Sequence, residues 1–221
     1  MKQYNGEKAI ISLTSWKARI NTVSKTLFSL FKQCPGFHIV LVLSEEEFPK
    51  KEKELPENLM LFVENDLIEI LWVYKNYKSF KKVLFTMDKY RDVPVISADD
   101  DCIYTRNYAE ELYKNWLSKN KVRSLHFISR GGGTGYGCLF SPNVFKRIDL
   151  KLLDKIIHTN NDDCLYYSLC VKYKICKFYL KVNKNDFVYF HDSVQPLAIG
   201  QKNQNILTAN RKEIMNILNH S

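Results

Sequence analysis

The chain has 221 residues, 45% hydrophobic and 26% charged, an ordinary globular composition at a length that suits one large α/β domain, 1–221, needing neither disulfide nor structural metal. No apolar run approaches the roughly 18 residues of a membrane-spanning helix, because Lys, Glu, Asp or Asn breaks every hydrophobic stretch. Lys and Arg outnumber Asp and Glu by 33 to 24, a formal charge of +9, which favours phosphates, acidic glycans, nucleic acid or an anionic membrane as partners.

The basic residues are scattered, and no RNP1 run, zinc finger or helix-turn-helix pattern accompanies them, so no nucleic-acid partner is expected. Met1 to Lys8 lack the apolar segment and cleavage site of a secretory signal, which predicts a cytoplasmic protein, with peripheral contact at the inner face of the membrane as a further option. Cysteines stand at 34, 102, 138, 164, 170 and 176 with no CxxC pair, so buried free thiols are expected rather than structural zinc.

Ala9 to Leu13 reads as a buried strand, followed by a polar, basic loop from Thr14 through Ser15 to Arg19. Val23, Leu27, Leu30 and Phe31 share one helical face, and Pro35-Gly36 closes that helix before a second strand, His38 to Leu43. Strand, helix and strand in this order form a βαβ unit with parallel neighbours and a right-handed crossover. An acidic and Lys-rich loop leads to two short strand candidates, Leu59 to Val63 and Ile68 to Val73. A helix follows with Phe80, Val83, Leu84 and Met87 on one side.

Val93 to Ser97 is the next strand, and it runs directly into Asp99-Asp100-Asp101. Ligands of open α/β sheets bind at the carboxyl ends of the strands, so these acids stand where chemistry is expected. A helix around Tyr108, Leu112 and Trp116 precedes a strand from Ser124 to Ser129 and the Gly-rich run 131–137. The last third reads as a helix after Asn160-Asn161-Asp162-Asp163, strands at Lys177 to Val182 and Phe187 to Phe190, and a terminal helix from about Ile206.

Three adjacent aspartates repel one another unless a cation or basic groups compensate them. Their hard oxygens suit Mg²⁺ or Mn²⁺, ions that commonly bridge one or two carboxylates to substrate phosphates. In extended chain Asp99 and Asp101 form the alternate pair and Asp100 points elsewhere. A solvated acidic turn is the plainer alternative. The Gly-rich run lacks the Lys-Ser/Thr of a P-loop and does not align as GxGxxG, which argues against an NTPase or dinucleotide enzyme.

Taken in order, Ile11-Ser12-Leu13-Thr14-Ser15 with Arg19, the strand Ile39 to Leu43, Phe80-Lys81-Lys82, Ala98-Asp99-Asp100-Asp101 and Asn161-Asp162-Asp163 resemble the GT-A-fold glycosyltransferases. The likeness is to small bacterial enzymes that build capsule and lipopolysaccharide, and it spans about three-quarters of the chain. It implies a central, mostly parallel sheet flanked by helices and transfer of a sugar from a nucleotide-diphosphate donor, a UDP-sugar first, to a hydroxyl of a glycan or lipid-linked acceptor, with inversion.

The resemblance also implies residue roles. Thr14, Ser15 and Arg19, with Lys81, Lys82, Asp99 and Asp100, hold the donor. Asp99 and Asp101, joined by His191, hold Mn²⁺ or Mg²⁺. The pair Asp162 and Asp163 supplies the base that deprotonates the acceptor, with Asp163 preferred, and the Gly-rich segment lies beside the acceptor. Read without it, Arg19 is a solvated loop arginine, Lys81 and Lys82 the wet side of their helix, and Asp162 and Asp163 a helix cap. Two rival functions are a nucleotidyltransferase, whose Gly-rich basic opening after the first strand is missing, and a non-enzymatic basic module for anionic membrane or nucleic acid.

Overall fold

A computed structural model describes residues 3–33, 36–130, 133–145, 148–182, 188–190 and 204–220. The first half repeats strand and helix: β1 (Ala9–Thr14), α1 (Val23–Phe31), β2 (Phe37–Ser44), α2 (Glu57–Glu64), β3 (Glu69–Val73), α3 (Lys81–Lys89) and β4 (Val95–Ser97). The second half is less regular: β5 (Cys102–Tyr104), α4 (Tyr108–Ser118), β6 (Ser124–Phe127), β7 (Cys138–Phe140), α5 (Leu150–Ile156), α6 (Asp162–Lys172), β8 (Cys176–Tyr179), β9 (Val188–Phe190) and α7 (Gln204–Asn219).

Seven strands form one sheet in the order β3-β2-β1-β4-β7-β6-β8, and β5 pairs with β9 in a small antiparallel sheet. Every neighbour pair of the large sheet is parallel except the two made by β7. The fold class is therefore the expected mostly parallel α/β sheet with helices on both faces. Because β7 runs against β4, with Cys138 opposite Ser97, the glycine turn before β7 arrives at the carboxyl edge beside the aspartates.

β1 and β2 are interior strands, each paired on both sides, and their side chains divide by alternate positions. Ile11, Leu13, Ile39 and Leu41 pack with α1, α2 and α4 on one face, while Ile10, Val40 and Val42 face the other way. All seven are fully buried, as interior parallel strands covered on both faces require. Each such side chain contributes roughly 1.5–3 kcal/mol by leaving water. α3, α5, α6 and α7 cover the second face through Val83, Leu153, Leu165 and Ile214.

The segment Leu59 to Val63 is not a strand: it lies within α2. Leu59 and Val63, four apart, are the buried residues, while Leu61 between them is 55% exposed, which is a helical and not an alternating pattern. A five-residue apolar run does not separate the two periods by itself. β7 and α5 carry no expectation from the sequence. β7 is three residues long after a glycine run, and α5 is a short helix capped by the Asp149 side chain on the Lys151 N–H.

At the amino edge of the sheet, away from the aspartates, the Glu69 carboxylate is buried among His38 Nε2 (2.8 Å), Lys89 Nζ (2.8 Å) and Tyr90 Oη (2.5 Å). Burial alone would raise its pKa, but the hydrogen bonds from His38, Lys89 and Tyr90 overcome that and hold it at about 2. A depressed folded value means the stabilisation is present above the unfolded carboxylate pKa of about 4.3 and is lost as pH falls toward about 2. Glu69→Gln is expected to cost about 2 kcal/mol at neutral pH. Urea titrations of both proteins from about pH 6 down to 2.5 should show the difference shrinking through that window; a gap independent of pH would refute the assignment.

Candidate active site

The three aspartates follow β4 but do not share one environment. Asp100 is 6% exposed and turned inward, where Ser15 Oγ (2.7 Å) and Arg19 Nη1 (2.7 Å) donate to its two oxygens. Thr26 Oγ1 donates to the Asp100 and Cys102 carbonyls, fixing the backbone of the turn to α1. Burial pushes the Asp100 carboxyl upward, and the Arg19 guanidinium opposes the shift. Arg19 Nη1 also meets Asp101 Oδ2 at 3.1 Å. The polar loop after β1 therefore bears on the aspartates themselves, and Arg19, 4% exposed, is not a solvated loop residue.

Asp99 is turned the other way, toward Lys82. Lys82 Nζ meets Asp99 Oδ1 at 2.7 Å and Asp162 Oδ2 at 3.2 Å, so one ammonium joins the end of β4 to the first turn of α6. Lys82 is only 3% exposed. Burial works against its charge, but Asp162 and Asp99 prevail and hold its pKa well above the ordinary lysine value. Ser12 Oγ sets the helix in place by donating to the Lys82 carbonyl and bonding Thr86 Oγ1.

Lys81, the neighbouring residue, points elsewhere: its Nζ donates to Asn76 Oδ1 (3.0 Å) and the Lys78 carbonyl (3.3 Å), with Glu47 at 3.7 Å. Neither lysine is on the wet side of α3. Thr14 is also set apart, donating to the Val42 carbonyl at 2.7 Å.

The glycine turn closes the site. Thr134 gives both its N–H (2.7 Å) and its Oγ1 (2.8 Å) to Asp163 Oδ1. Gly133 has φ +62°, and a Cβ there would strike the Asp163 carboxylate; a Cβ on Gly135 would strike that of Asp99. Glycine is thus required for the carboxylates to approach the turn this closely. Tyr104 Oη donates to the Gly135 carbonyl (2.9 Å) and accepts from the Asp99 N–H (2.7 Å), while Ser97 Oγ donates to the Thr134 carbonyl (2.7 Å).

Asp162 and Asp163 differ as much as Asp99 and Asp100 do. Asn161 caps α6 by accepting from the Cys164 N–H, so neither aspartate is the cap itself. Asp162 is buried against Lys82, and burial pushes its carboxyl pKa upward. Asp163 is exposed, anchored through Oδ1, at the mouth of the site.

The structure brings together Ser15, Arg19, Lys82, Asp99, Asp100, Asp101, Asp162 and Asp163; Thr14 and Lys81 serve neighbouring contacts, and His191 lies outside the described residues. Thr134, Gly133, Gly135 and Tyr104 complete the site, and the concentration of glycines was the one sequence signal for them.

Among the described residues no three or more His, Cys, Asp and Glu side chains stand together as a metal-binding group. Arg19 and Lys82 supply the compensating charge that three adjacent aspartates need. Asp99 and Asp101 are the partly exposed members of the run, and their hard carboxylate oxygens are of the type that suits a divalent cation.

No protein-family model matches the chain, and no curated protein matches it. Among solved structures it is similar to the glycosyltransferase GlyE of Streptococcus pneumoniae, at 16% identity over 80% of this chain and 46% of that one, with a TM-score of 0.47. It is also similar to TarS 1–349 of S. aureus, at 14% identity over 56% of this chain and 35% of that one, TM-score 0.41. The complex of TarS 1–349 with UDP gives 15% identity over 57% and 37%, TM-score 0.41. The chain spans less than half the length of each of these proteins, and likenesses so distant carry no argument about its activity.

Proposed function

We propose that the chain is one GT-A-type domain and a glycosyltransferase, moving a sugar from a nucleotide-diphosphate donor, UDP-linked first, to a hydroxyl of a glycan or lipid-linked acceptor met at a membrane's inner face. The observation that carries this reading is the convergence of two acidic sets, from the end of β4 and the start of α6, on Lys82 beside the glycine turn. A donor-side and an acceptor-side carboxylate then stand together at the carboxyl edge of the sheet, the position such sheets use for nucleotides.

In this reading Arg19 and Ser15 hold Asp100, and Asp100 in turn fixes the path of its neighbours. Lys82 holds Asp99 and Asp162 at a constant spacing. A divalent cation on Asp99 and Asp101, with His191 as the third protein ligand, would offset the charge that builds on the leaving nucleotide. Asp163 accepts the proton of the acceptor hydroxyl, and the Thr134 hydrogen bonds to its Oδ1 hold the carboxylate in one orientation.

Calorimetric titration of UDP and other nucleoside diphosphates, with Mn²⁺ and with EDTA, tests the donor site. Binding is expected in Mn²⁺, with loss of about tenfold or more in EDTA or in Asp101→Ala. If no nucleotide binds under any metal condition, the glycosyltransferase reading fails.

A further inference from the structure

The net charge of +9 is not evenly spread. Stretches 112–148 and 164–185 hold twelve Lys and Arg and no Asp or Glu, so the remainder of the chain is net negative. Nine of the twelve lie among the described residues, Lys114 to Arg130 on or beside α4 and β6 and Lys172 to Lys181 on or beside α6 and β8. Since β8 is the terminal strand and α4 contacts β6, the fold brings these nine toward one end of the large sheet.

Ring contacts hold cations on both sides of this edge, since Phe178 and Tyr179 are neighbours in β8 and point to opposite faces. Lys119 Nζ lies 5.5 Å from the Phe178 ring centroid, Lys177 Nζ 4.7 Å from that of Tyr167, and Arg130 5.5 Å from that of Tyr179. Phe178 stacks on His126 at 5.0 Å and Tyr179 on Phe127 at 5.5 Å, so the edge strand is held firmly.

Exposed apolar side chains stand among these cations. Leu117 and Val122 are 38% and 42% exposed at the end of α4, Tyr167 and Val171 40% and 49% on α6, and Val182 38% after β8. Lysines alone are a common guard against edge-to-edge strand pairing. That role does not account for apolar residues held in water beside them. A surface mixing Lys and Arg with Val, Leu and Tyr matches the boundary of a bilayer, where headgroup charge attracts the cations and the apolar tips enter the acyl border.

We propose that this end of the sheet is a docking surface for an anionic lipid bilayer. The proposal deepens the reading above by naming the surface that meets the membrane carrying the acceptor. Vesicle binding is measured without donor or turnover, so failure of this proposal leaves the glycosyltransferase reading standing, and failure of that reading leaves this one.

The test is co-sedimentation of the whole chain with phosphatidylcholine vesicles, with and without phosphatidylglycerol. Wild type should bind only the anionic vesicles. Lys119→Glu/Lys177→Glu/Lys181→Glu should bind roughly 100-fold more weakly, about fivefold for each lysine lost, while Lys25→Glu/Lys32→Glu/Lys53→Glu, equal in charge, should bind like wild type. Val171→Asn/Val182→Asn should bind anionic vesicles more weakly than wild type.

A polarity-sensitive fluorophore on Cys176, exposed on β8, should shift to the blue with anionic vesicles; in a Cys34→Ser background this reads the surface without depending on the charge variants folding. The proposal is overturned by no binding, by equal binding to neutral vesicles, by equal losses in the two charge variants, by an unshifted fluorophore, or by undiminished binding of the Val variant. Binding to RNA or polyphosphate without binding to vesicles would also overturn it, in favour of a soluble polyanion.

Discussion

Replacing Lys82 with Met is expected to destabilise the protein by about 3–5 kcal/mol, the usual cost of leaving a buried ionic partner uncompensated. Met nearly matches the length of the lysine stem, so the loss reports charge and not a cavity. In the variant Asp162, already raised by burial, loses the ammonium that opposes the shift. A carboxyl whose folded pKa exceeds its unfolded value is a source of stability at low pH that is lost as pH rises. The deficit should therefore be largest near neutrality and shrink on acidification toward about pH 5, as urea denaturation at the two pH values would reveal. A deficit under about 1 kcal/mol would mean that the carboxylates find water or each other's protons instead, and that Lys82 does not set their spacing.

Asp163→Asn should lower kcat for transfer by roughly 100- to 10,000-fold, the range expected for removal of a general base. Asn retains an oxygen to accept from the Thr134 N–H, so the turn and the binding of UDP should be preserved. Calorimetry and kinetics on the same preparation separate the two effects. Full activity in Asp163→Asn, together with product of retained anomeric configuration by NMR, would remove the base from the mechanism.

Much of the frame was legible because its signals are local. The near-continuous apolar runs of β1 and β2 and the helical spacing of Val23, Leu27 and Leu30 mark a βαβ unit, and the aspartates follow a strand. The reading fails where a residue's surroundings come from distant chain. Lys81 and Lys82 read as a solvated face because buried lysines are rare, yet each finds acceptors far from it in sequence, Glu47 for one and Asp162 for the other. Leu59 to Val63, expected as a strand, is helical; its run is too short for its period to be distinguished. The link between Asp99 and the glycine turn rests on β7, three residues with no periodicity of their own.

The antiparallel insertion of β7 also has a consequence for how the chain is made. β1 to β4 pair as parallel neighbours within the first 97 residues, so that half of the sheet can assemble as soon as it leaves the ribosome. Asp99, two residues beyond β4, then gives Lys82 one aspartate, and its second arrives only when α6 is synthesised some sixty residues later. Completion of the site is thus a late step of a vectorial process, since Lys82 lacks Asp162 until α6 is made.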